Sequence, residues 1–69
     1  MFNHQLTANG RKIAQARYQF LLELGCKPGH ARNAAEALTL EQENPDFIRS
    51  PYDERDICEC WQKITARDE

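Results

Sequence analysis

The chain has no run of eighteen apolar residues anywhere in its 69 positions. Its opening Met1-Phe2-Asn3-His4 also lacks the apolar stretch that follows a basic start in a secretion signal. Membrane insertion and export are therefore not expected, and the reading is cytosolic. Cysteine is odd in number, three in all, which suits free thiols in a reducing compartment better than a disulfide framework. No glycine-rich phosphate loop is present. Alternating apolar and polar residues never persist beyond a few positions, and Asn9-Gly10 lacks the β-rich flanks of a hairpin turn, so strands are not expected. Internal repeats and low-complexity tracts are absent too.

What is present is helical punctuation. Gly25 to Leu40 reads as a helix stop, a tight corner and a new helix. Gly25 suits the left-handed conformation that ends a helix, and Pro28 has the fixed φ and missing N–H of a first helical position. Beyond it, Ala31, Ala34, Ala35 and Leu38 fall at i, i+3, i+4 and i+7, a narrow stripe that lets another backbone come close. Upstream, Ile13, Ala16, Arg17, Phe20, Leu21 and Leu24 follow helical spacing, with Tyr18 and Leu22 widening the apolar face beyond what one neighbour needs. Thr7 or Asn9 is placed to cap that helix.

Asn44-Pro45 stops the second helix, because the residue before proline is pushed out of the α region. Phe47 and Ile48 in the connector are expected to plug the end of the core. Ser50-Pro51 with Asp53 then forms an N-terminal signature, followed by Ile57, Trp61 and Ile64 at i, i+4 and i+7. The prediction is an all-α, compact three-helix domain, with helices at about 10–24, 28–43 and 51–66, a helix-turn-helix-like corner at 25–30, and a loose lead-in over 1–8. It forms one domain spanning 1–69. A chain this short buries only about 60% of its unfolded surface, so its core is thin.

Chemistry is harder to find. Cys26, His30, Cys58 and Cys60 are metal-ligating types. Two cysteines separated by one residue on a helix, however, point about 200° apart and cannot easily share an ion. No metal and no cofactor are assigned. Cys58 is expected in the core beside Ile57, with Cys60 toward the surface. His30 has no third residue to orient it, and the carboxylates are interspersed with arginines, as on a solvated face, so no catalytic residue is assigned and the protein is not expected to be an enzyme. If the corner were a DNA-reading motif, His30, Arg32 and Asn33 would face outward near the start of the recognition helix, where base contacts are made.

Charge favours a protein partner. The net charge of −2 hides a division: residues 1–40 carry five cations against Glu23 and Glu36, a net +3, whereas residues 41–59 carry seven acids against Arg49 and Arg55, a net −5. Such an acidic segment repels phosphates and suits a basic protein surface. Tyr52 and Trp61 are aromatics of the kind that anchor interfaces, and Glu54, Asp56 and Glu59 would provide the complementary charge. A homodimer or a heterologous partner would each complete the thin core.

Two resemblances accompany these residues. Ser50-Pro51-Tyr52, eight further residues and then Trp61 are similar to the proline-tyrosine and tryptophan spacing near the end of ribosome modulation factor-like proteins. That likeness implies a translation-associated role, although the sequence continues Gln62-Lys63-Ile64-Thr65 instead of with a glycine-tryptophan element. A very short, acid-leaning, helical chain also resembles the small antirepressors of temperate phages, of the c-one inactivator type. This second likeness implies stoichiometric capture of a repressor, blocking its operator site or its dimer, and hence a role in transcription regulation and the lysis-lysogeny decision.

Overall fold

Three helices form where the punctuation places them. In the computed structural model, which describes residues 5–67, they are α1 (Ala8–Glu23), α2 (Pro28–Glu43) and α3 (Pro51–Arg67), with no strand among the described residues. The domain is all-α. Of the expected lead-in over 1–8, residues 1–4 lie outside the described residues. Helix α1 begins earlier than position 10 because the Thr7 hydroxyl accepts a hydrogen bond from the Gly10 N–H at 2.9 Å, the standard bond of an N-cap.

The corner closes α1 with a Schellman arrangement. Gly25 takes φ +99°, its N–H donates to the Leu22 carbonyl at 3.0 Å, and the Cys26 N–H donates to the Leu21 carbonyl at 3.0 Å. Leu21 and Cys26, brought together by that geometry, are both buried in the core. Lys27 gives α2 no side-chain cap, and Pro28 at its first turn needs none for its missing N–H. At α3 the Asp53 N–H donates to Ser50 Oγ at 3.1 Å while Asp53 Oδ2 accepts from the Ser50 N–H at 3.0 Å. This is a capping box with aspartate in place of glutamate.

Helix α2 is the shared wall. Both α1 and α3 pack along it, while α1 and α3 barely meet, giving a body of 41 × 24 × 18 Å. A helix held between two neighbours needs small residues on both sides, and α2 buries Ala31, Ala34, Ala35, Ala37 and Thr39, all at 2% exposure or less. Thr39 marks the α1 side: its hydroxyl accepts from Arg17 Nη1 at 3.1 Å and donates to the Ala35 carbonyl at 2.8 Å. Arg17 Nη2 also reaches Gln42 Oε1 at 2.7 Å. Asn33 marks the other side, through its bonds to α3.

The far end of the α1–α2 pair is fastened by Glu43. Its carboxylate accepts from the Thr7 hydroxyl at 2.6 Å and from the Thr7 N–H at 3.3 Å, placing negative charge at the positive end of the α1 dipole. Gly10 makes room for it, since a Cβ there would lie 2.5 Å from Glu43 Oε1.

Three expectations are corrected by this packing. The buried residues of α1 are Gly10, Ala14 and Leu21. Phe20 is 59% exposed, Ala16 is exposed, and Ile13 and Leu24 are half-buried. Helices this close admit small side chains between them and turn large ones aside. In the connector Phe47 packs against the core, but Ile48 is 86% exposed and plugs nothing. On α3 the cysteines are reversed: Cys60 is buried and Cys58 exposed. The cause is Asp56, which turns inward to Asn33 and rotates the buried face to Asp56, Ile57 and Cys60.

Candidate protein-binding face

The rotation of α3 decides which side chains face outward. With Asp56, Ile57 and Cys60 committed to α2, Trp61 stands 53% exposed and Tyr52 70% exposed. Between Arg49 in the connector and Thr65 near the end of α3 runs a shallow groove floored by Ile57 and Cys58 and walled by Trp61 and Glu54. Arg49 is held by Glu41, Nε to Oε2 at 2.6 Å and Nη2 to Oε1 at 3.2 Å, and its Nη1 lies 3.8 Å from Glu54 Oε1. The Glu41 hydrogen bond raises the Arg49 pKa further, so the guanidinium stays charged. Arg55 lies over the Tyr52 ring at 5.7 Å, a cation–π contact that stiffens an exposed aromatic.

The residues expected to contact a partner therefore separate. Tyr52, Glu54 and Trp61 lie at the surface, and Glu59 is half-buried. Asp56 does not face outward: it is 8% exposed, its Oδ2 accepts from Asn33 Nδ2 at 2.8 Å, and its buried Oδ1 has no hydrogen bond. Its nearest basic side chains are Arg55, Nε at 3.6 Å, and His30, Nε2 at 3.8 Å.

The three candidate DNA readers diverge as well. Arg32 lies over the Tyr18 ring on α1 at 5.3 Å. Asn33 Nδ2 donates to Asp53 Oδ1 at 3.0 Å as well as to Asp56, and His30 faces the same carboxylate. They point to opposite flanks of α2 and do not form one reading surface. Sequence spacing could not reveal the Asn33–Asp56 link, whose partners lie 23 residues apart on different helices. Ile48 was also missed as a surface residue.

The buried thiols are chemically quiet. Burial, reinforced by Cys26 beside it, pushes the Cys60 thiol up to about 12. Cys26 Sγ donates to the Cys60 carbonyl at 3.7 Å. Among the described residues no three His, Cys, Asp or Glu side chains are grouped to hold a metal ion, and no helix there is long and apolar enough to cross a membrane.

A pH dependence follows for Cys60. Its ordinary value is 9.0, so above that pH the unfolded thiol ionises while the folded one keeps its proton, and the unfolded state binds fewer protons. This contribution to stability is intact below pH 9 and is lost as pH rises toward about 12. Urea unfolding across the alkaline range should show a steeper decline for the wild type than for Cys60→Ala. Parallel slopes would refute the assignment. In the native protein at neutral pH, a thiol reagent should label Cys58 alone.

Comparison with protein-family models, with curated proteins and with solved structures gives no match to this chain.

Proposed function

We propose that the protein is a non-enzymatic protein-binding module that captures a DNA-binding protein through the outer face of α3 and keeps it from its operator, as a phage antirepressor does. One observation carries the reading: side-chain sizes are inverted between core and surface. The largest fully buried side chain is Thr39, and the core is otherwise mostly alanine and cysteine. Ile48, Tyr52 and Trp61 stand out in solvent, and Trp61 walls the groove along α3. Large apolar side chains left outside add nothing to folding, whereas covering each by a partner contributes about 2 kcal/mol. The surrounding segment, net −5 over residues 41–59, selects a partner with a basic surface and speeds the encounter. Surfaces that bind DNA are basic by necessity.

The test is affinity capture with the full chain before and after nuclease, followed by operator mobility shifts with the protein recovered. A single DNA-binding partner that survives nuclease and leaves its operator on titration is the expected result. Trp61→Ala should weaken that complex about thirtyfold, and Glu54→Gln with Glu59→Gln should flatten its salt dependence. Unchanged affinity in both variants would overturn the reading. Co-sedimentation with ribosomes, as the Pro51-Tyr52 and Trp61 spacing implies, or retention through nucleic acid alone would overturn it too.

A further inference from the structure

A second apolar surface lies on α1, away from the α3 face. Phe20 is 59% exposed, Ala16 is exposed, and Ile13 and Leu24 are half-buried. At spacings of three and four they make one stripe along the helix. Helix α2 packs against a different side of α1, and α3 barely meets α1 at all, so among the described residues neither helix covers the stripe. We propose that this stripe is a self-complementary seam through which two copies of the chain pair as an antiparallel two-fold dimer.

Two features of the seam select a second copy as its occupant. The first is shape. Ala16 and Phe20 are placed symmetrically about position 18, so a two-fold axis crossing the seam at that level sets the large ring of one copy over the small residue of the other. A knob meets a hole twice. The second is charge. Lys12 and Glu23 are both exposed and stand eleven positions apart, close to three full turns, which puts them on the same flank of the stripe. In the antiparallel pairing, Lys12 of each copy comes within one residue of level with Glu23 of the other, in reach of its long side chain, and the two-fold axis makes both contacts at once. A foreign helix would have to match a cation and an anion in that order; a second copy does so by symmetry.

The seam is one helix long, about 24 Å, and covers less than the roughly 800 Å² per partner of a standard interface. The dimer is accordingly weak, with a dissociation constant on the order of ten micromolar. It leaves the α3 face uncovered, so this proposal and the α3 reading succeed or fail separately.

Sedimentation equilibrium of the full chain, from about 1 μM to about 1 mM so as to bracket that constant, tests it. Wild type should pass from monomer to dimer across the range. Lys12→Glu and Glu23→Lys, each placing like charges opposite one another, should raise the dissociation constant about tenfold or more. The double variant Lys12→Glu/Glu23→Lys should bring it back to near the wild-type value. Phe20→Ala, at a position already mostly in solvent, should lose dimerisation while its circular dichroism stays that of wild type. A chain that remains monomeric throughout leaves the stripe to another protein and overturns the proposal. So does a dimer indifferent to the charge exchange.

Discussion

Ala35→Leu is expected to lower the melting temperature by about 5–20 °C, from an overpacking cost of about 1–3 kcal/mol. Ala35 is 0% exposed, and its carbonyl receives the Thr39 hydroxyl that Arg17 of α1 also engages. A leucine there has no free space in the core that Ala35 shares with Leu21 of α1 and Ile57 of α3, and the helices can accept it only by separating, which strains the Arg17 bonds. A domain of 69 residues has about 3–10 kcal/mol of stability in total, so the loss is a large share. Glu36→Leu, one position along on the exposed surface, adds a similar side chain and should shift stability by less than about 0.5 kcal/mol. Thermal unfolding followed by circular dichroism distinguishes the two. An equal fall in both would show that helix composition, and not the close α1–α2 approach, sets stability.

Asn33→Ala is the second large effect, with a cost of about 2–4 kcal/mol. Its amide donates to two carboxylates, Asp53 and Asp56. Asp56 is buried with one oxygen already lacking a hydrogen bond. Removing Asn33 leaves that carboxylate without a hydrogen-bond donor in a poorly solvated site, while Asp53 can still bond within its capping box. Removing both sides of the contact should cost less than removing one. In urea unfolding, Asn33→Ala/Asp56→Ala should therefore be more stable than Asn33→Ala alone. If the double variant is weaker than either single one, the Asn33–Asp56 bond is not the determinant of α3 docking.

Local features of the fold were legible in the sequence. Gly25, Pro28, Asn44-Pro45 and Ser50-Pro51 act through backbone geometry within a few residues, and each set a helix end as expected. The alanine stripe of α2 was legible for the same reason, since spacing alone places it on one face. Rotation of the outer helices was not legible. In α1, Ile13 and Phe20 are the most apolar choices for a core face, but the distance to an alanine-lined neighbour favours Gly10 and Ala14. In α3, hydropathy would turn Trp61 inward and leave Asp56 in water. A hydrogen bond to a residue on another helix reverses that, and it also exchanges Cys58 with Cys60. Of the residues expected to meet a partner, Tyr52, Glu54 and Trp61 lie at the surface. The candidate site was misread at Asp56, whose orientation depends on Asn33, a partner distant in the chain, and at Ile48, expected in the core but 86% exposed.

The arrangement of α2 between its two sequence neighbours also has a kinetic consequence. Each packed pair joins consecutive helices, and the Thr7–Glu43 and Cys26–Cys60 contacts each close one helical hairpin, over 36 and 34 residues. No long excursion of the chain must be gathered before packing begins, so little loop entropy opposes the transition state. Chains of this topology fold in roughly microseconds to milliseconds. The first hairpin is complete before α3 is needed, so synthesis from the N-terminus can assemble the wall and one side of the core ahead of the helix that carries the partner face.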